Sequence, residues 1–77
     1  MSTNIEICQI MNINEVFGKR VKEKRLSLNL SQETLANLAN IDRTYLPDIE
    51  KGKRNVSLVV AEKIASALQT PLKELIE

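Results

Sequence analysis

Three times between residues 29 and 57 a residue suited to ending a helix is followed closely by one suited to starting the next: Asn29 then Ser31, Asn40 then Asp42, Gly52 then Ser57. Asn and Gly tolerate the left-handed conformation that closes helices, and Ser and Asp oxygens accept from the free amides that open them. Apolar residues at helical spacing fill the intervals. Phe17, Val21 and Leu28 predict a first amphipathic helix over residues 14 to 28, with its bases outward. Leu35, Leu38 and Ala39 stripe a short second helix, in which the small Ala36 admits a close neighbour. After a buried Ile41, the third helix faces inward with Leu46 and Ile49. Leu58, Ala61, Ile64, Ala65 and Leu68 line one side of the fourth. Thr70 and Pro71 begin a fifth, carrying Leu72, Leu75 and Ile76, because proline at a first helical position loses only a donor that has no partner there. Strand-like alternation goes no further than Ile5 and Ile7. The expected fold is all-α, a compact five-helix bundle.

A chain of 77 residues buries only about 60% of its unfolded surface, so association would help it. The absence of histidine removes His-based acid/base catalysis and most zinc sites, so neither an enzyme nor a metal protein is expected. No cofactor and no small-molecule ligand are expected either. Cys8 is the only cysteine, which forbids an internal disulfide and suits a reducing compartment. No apolar run approaches the roughly 20 residues of a membrane span, and a cytoplasmic protein is expected. Charge is unevenly spread. Residues 16–56 hold nine bases against five acids, whereas the rest hold two against five. That asymmetry points to one basic working face.

The second and third helices, joined by about three residues, form a helix-turn-helix unit. The pattern Q-x-x-L-A-x-x-A-x-I-x-x-x-x-L-x-x-I-E-x-G, from Gln32 to Gly52, resembles the helix-turn-helix of the lambda and 434 repressor and Cro family, and RVKEKR at 20–25 resembles that family's first helix. Within the family, DRTYLPDIEKGKRNVSL at 42–58 resembles the controller proteins of bacterial restriction-modification systems. The resemblance implies a lambda-repressor-like fold and a sequence-specific transcriptional regulator of double-stranded DNA. It implies operator boxes upstream of the chain's own gene and the endonuclease gene, with activation at low dose and repression at high dose. Activation would add RNA polymerase as a partner. Phage-type repressors and antitoxin-like interaction proteins share much of the frame and stand as alternatives. Asn29, Asn40 and Gln69 occupy positions where the family usually has glycine.

Turning Leu46 and Ile49 inward leaves Arg43, Thr44, Tyr45, Pro47 and Asp48 as the base-reading candidates. The Arg43 fork can bond guanine O6 and N7 together; Asp48 can accept from a cytosine amino group, or hold Arg43 or Lys51. Gln32, Lys51, Lys53, Arg54 and Asn55 are phosphate candidates, Gln32 by its likeness to the family glutamine at the start of the second helix. By the same resemblance Arg25 and Glu50 form a partly buried ion pair joining the first helix to the end of the third. Pro47 poses a question. If Asp42 is the N-cap, Pro47 is the fifth helical residue and strands the Arg43 carbonyl. Either the first turn loosens, or the regular helix begins at Pro47 after a turn at 43–46.

Such units usually bind as dimers on half-sites about 34 to 36 Å apart. A homodimer is expected through Val59, Val60, Leu72, Leu75 and Ile76, with Val60 and Ile76 the better candidates and Leu72 and Leu75 also suited to the monomer core. Residues 1–13 are expected to be a flexible N-terminal extension and residues 14–77 the DNA-binding and dimerisation domain.

Overall fold

The computed structural model describes residues 12–77. The expectations for Ile5 and Ile7, and for the N-terminal extension up to residue 11, lie outside the described residues. Five helices follow one another in the described residues: α1 (Ile13–Ser27), α2 (Gln32–Ala39), α3 (Tyr45–Glu50), α4 (Leu58–Ala67) and α5 (Lys73–Ile76). The helix α1 packs against α3 and α5, and α2 packs against α4 and α3. Phe17, Val21, Leu35, Ala36, Ala39, Leu46, Ile49, Ala61, Ile64, Ala65, Leu68 and Leu75 form one buried core.

Polar side chains open three of these helices. Ser31 accepts from the Thr34 amide at 3.0 Å and Ser57 from the Val60 amide at 3.1 Å. The first helix opens one residue earlier than its apolar spacing implies. Asn12 accepts from the Glu15 amide at 2.9 Å while Glu15 accepts from the Asn12 amide at 3.1 Å, a reciprocal capping box.

The first four helices close alike. Each is followed by a residue of positive φ: Asn29 (59°), Asn40 (57°), Gly52 (74°) and Gln69 (56°). Two amides then turn back onto the last carbonyls. Asn29 donates to Leu26 at 3.0 Å and Leu30 to Arg25 at 3.1 Å; Gly52 donates to Ile49 at 3.0 Å and Lys53 to Asp48 at 2.9 Å. The same pairing recurs at Asn40 with Ile41 and at Gln69 with Thr70. These are Schellman closures, and Leu30 and Ile41 complete two of them by folding partly into the core.

Four expectations need correction. Leu28, Leu38 and Leu58 are exposed rather than turned inward. Leu28 lies beyond the last helical residue of α1, where helical spacing no longer sets its direction. Leu38 stands at the edge of a stripe centred on Leu35, Ala36 and Ala39. Leu58 opens α4 ahead of its first buried residue, Ala61, and is 80% exposed. The last helix starts at Lys73 rather than at Pro71: the Glu74 amide donates to Pro71 at 3.0 Å and the Leu75 amide to Leu72 at 2.9 Å, so a tight turn of three-residue reach precedes it.

Candidate nucleic-acid interface

The third helix begins at Tyr45, between the two starts that the sequence leaves open. The Asp42 carboxylate accepts from the Thr44 amide at 2.9 Å and from the Thr44 hydroxyl at 2.8 Å, and the Tyr45 amide donates to the Asp42 carbonyl at 3.1 Å. Asp42 therefore caps a turn over residues 43 and 44 rather than the helix itself. Its backbone and hydroxyl bonds to Thr44, aided by the charge of Arg43, hold its carboxyl below the ordinary carboxylate value. Because the folded value is the lower one, this turn is firmest above the unfolded value and loosens as pH falls through the folded one.

Pro47 is thus the third residue of α3. Its position is among the first helical amides, which have no intrahelical partner in any case, so the missing donor costs nothing. Proline there also restricts the unfolded chain. Pro47→Ala is accordingly expected to lower stability by about 0.4 to 1 kcal/mol, the opposite sign to relief of a mid-helix proline. A urea midpoint that rises on substitution would restore the mid-helix placement.

Burial of Leu46 and Ile49 turns the start of α3 outward. Arg43, Thr44 and Tyr45 are exposed, and Pro47 and Asp48 are half-buried. The Arg43 Nη1 donates to Glu33 Oε2 at 3.0 Å, from the first turn of α2. Neither Asp42 nor Asp48 holds that guanidinium. Asp48 instead faces Arg54, 3.9 Å between Oδ2 and Nη2, and Arg54 lies over the Tyr45 ring, 4.6 Å from its centroid. The arginine thereby offsets the one acid on the outer side of α3 and stacks on the aromatic face.

The phosphate candidates divide into two groups. Lys51, Lys53, Arg54 and Asn55 are exposed along the segment that leaves α3, and neither lysine makes an ion pair among the described residues. Asn55 Oδ1 accepts from Asn14 Nδ2 of α1, so its own amide donors face away from that bond. Gln32 stands apart from them at the first position of α2, half-buried, with Nε2 donating to Glu50 Oε1 at 3.1 Å.

That contact joins Gln32 to the buried ion pair. Arg25 Nε meets Glu50 Oε2 at 2.7 Å and Arg25 Nη2 meets Oε1 at 3.1 Å, with the side chains only 9% and 3% exposed. The remaining fork nitrogen, Nη1, donates to the Leu30 carbonyl at 2.8 Å. One arginine thus ties α1, the α1–α2 turn and the end of α3 together, and each of its three nitrogens finds an acceptor.

The apolar surface differs from the expected set. Val59 and Ile76 are exposed, Val60 and Leu72 are half-buried against the core, and Leu75 is buried. Leu75 is spent on the monomer and has no face left for a second copy. Leu58, assigned to the core by its spacing, stands exposed beside Val59. Sequence reasoning missed Glu33 and Asn14 as partners of Arg43 and Asn55. Both contacts are tertiary, and the only local signal was an acid in the first turn of α2.

A family model described as helix-turn-helix matches residues 21–75. Control protein C.BamHI of Bacillus amyloliquefaciens is 49% identical over 67 residues, covering 86% of this chain and 83% of that protein. The crystal structure of the restriction-modification controller protein C.AhdI from Aeromonas hydrophila is similar with a TM-score of 0.78 at 48% identity, over 80% of this chain and 94% of that one. The controller protein C.Esp1396I, as a tetramer in complex with its natural 35 base-pair operator, is similar with a TM-score of 0.74 at 28% identity, over 87% of this chain and 99% of that one.

Proposed function

The chain belongs to the helix-turn-helix family, among the control proteins of restriction-modification systems, and from that premise we propose that it regulates transcription by binding operator DNA as a dimer. Its operator boxes lie upstream of its own gene and of the endonuclease gene. Low dose activates and high dose represses, and activation proceeds through contact with RNA polymerase. The observation that carries the DNA-binding reading is the exposed run Arg43, Thr44 and Tyr45 at the N-terminal end of α3, flanked by Lys51, Lys53 and Asn55. Bases at the end of a helix that crosses a rigid scaffold suit a major groove, and the flanking segment suits the adjoining phosphates.

In this reading Arg43 bonds a guanine, Thr44 and Tyr45 touch neighbouring base edges, Pro47 offers an apolar ring to a thymine methyl, and Asp48 accepts from a cytosine. Gln32 keeps one amide hydrogen on Glu50 and gives the other to phosphate. The dimer forms through the exposed apolar residues Leu58 and Val59 of α4 and Ile76 of α5, with the half-buried Val60 and Leu72 contributing, since exposed apolar side chains gain by mutual burial.

The test is a footprint on the DNA upstream of the coding region, repeated over a range of salt. A protected, two-fold symmetric site with affinity falling steeply in salt is expected. Arg43→Ala should cost about 1 to 3 kcal/mol at one guanine per half-site, whereas Lys53→Ala should weaken all sequences evenly and reduce the salt slope by about 1. Protection absent from that region, or amides 42–55 unmoved when operator fragments are titrated in nuclear magnetic resonance, would remove the proposal.

A further inference from the structure

We propose that Glu33 is a positioning residue for base recognition, holding the Arg43 guanidinium by one nitrogen so that the rest of the fork is presented to a guanine edge in a fixed direction. This inference rests on the reading of Arg43 as a base-contacting residue.

The geometry supports a division of labour within one side chain. Nη1 of Arg43 is bound to Glu33 at 3.0 Å, while Nε and Nη2 donate to no protein group among the described residues. An arginine has five donors in a planar fork, so engaging one leaves others free for a second partner. The two residues are unequally anchored. Arg43 sits in a turn, whereas Glu33 is the second residue of a helix capped by Ser31 and fixed in the core through Leu35 and Ala36. Direction is therefore imposed on Arg43 by α2. A long side chain held in one orientation before binding has less freedom to lose on binding.

Stability does not explain the pair. Its side chains are 68% and 62% exposed, and exposed ion pairs add little to folding. The helix dipole accounts for an acid near the start of α2 but not for an acid opposed to Arg43. On a face gathered for phosphates, a carboxylate also weakens attraction to any duplex, whatever its sequence. Weaker binding everywhere and better aim at one base is how a specificity ratio rises.

Duplexes selected by the wild-type protein from a randomised library, each carrying single guanine-to-adenine changes, provide the test, alongside an unrelated duplex. The proteins are wild type, Arg43→Ala, Glu33→Ala, Glu33→Gln and the double alanine variant, with melting temperatures confirming that each is folded. Arg43→Ala is expected to abolish preference at one guanine. Glu33→Ala and Glu33→Gln should each reduce discrimination at that same guanine by about fivefold while strengthening binding to the unrelated duplex. Adding Glu33→Ala to Arg43→Ala should change nothing further at that position. Equal strengthening on selected and unrelated duplexes would leave Glu33 as a charge alone and overturn the proposal. So would relaxation at a position that Arg43→Ala does not touch, since Glu33 would then read a base of its own. If Arg43→Ala leaves every guanine preference intact, the base-reading role of Arg43 fails first and the role of Glu33 falls with it.

Discussion

Glu50→Ala is expected to lower the free energy of unfolding by about 3 to 5 kcal/mol, and Arg25→Ala by a similar amount. The size follows from burial. Both side chains are almost wholly out of water, so removing either leaves the other as an unpaired charge in the interior. Losing Glu50 also strips Gln32 of its acceptor, and losing Arg25 also strips the Leu30 carbonyl of its donor. A domain of this size has a total stability of only about 5 to 15 kcal/mol, so either variant should be largely unfolded in mild urea. The pair need not be a net source of stability. Replacing both residues together by apolar ones of similar volume should recover most of the loss, because the desolvation of two charges is then avoided. Urea unfolding followed by circular dichroism measures all three proteins. A single-variant loss under about 1 kcal/mol would mean that water reaches the pair as it does an exposed one.

Gly18→Ala is expected to cost about 1 to 3 kcal/mol through overpacking, despite removing a glycine from the middle of α1. Helix propensity alone argues for the reverse, a gain of about 0.5 to 1 kcal/mol. Sterics decide the sign. A methyl group at Gly18 would lie within 2.9 Å of the Glu50 carbonyl oxygen and inside contact distance of the Ile49 carbonyl. Neither is the tip of a flexible side chain that can swing away. The helices must part, and the one displaced carries the base-reading candidates. Thermal melting of Gly18→Ala should therefore show a lowered midpoint, and the remaining folded protein should bind operator less tightly than its folded fraction allows. A raised midpoint would show that α1 and α3 stand further apart at this crossing.

Much of this fold is legible because its punctuation is local. Ser31, Ser57, Asn29, Asn40 and Gly52 act within a few residues of themselves, and the sequence places them at the ends they occupy. The capping box at Asn12 and Glu15 is equally local, but it precedes the first apolar residue of the helical stripe, so the spacing of that stripe does not reveal it. The start of α3 was harder. Asp42 is a good cap by type, but its oxygen is used by a turn rather than by the helix, and residue type alone does not separate these. The exposure of Leu28, Leu38 and Leu58 is not legible from their spacing, because burial at a helix end depends on what lies opposite, which periodicity does not contain. Gly18 gave no sign of its role for the same reason. The chain belongs to the all-helical class and family that its motif implied, whereas the pairing of Arg43 with Glu33 and of Arg54 with Tyr45 came only with the structure. Resemblance to a family, rather than spacing, had brought Arg25 and Glu50 together.

Asn29, Asn40 and Gln69 close their helices with a left-handed backbone although each carries a side chain. Asn tolerates that conformation, but for a residue such as Gln it costs about 1 to 2 kcal/mol, against a smaller entropic penalty for glycine. Unclaimed resilience is thus left above all at Gln69, in the turn between α4 and α5, outside the α2–α3 unit and the segment after it that hold the reading candidates. A lineage carried into a warmer host has an inexpensive path open to it there, one that asks nothing of the residues by which an operator is recognised.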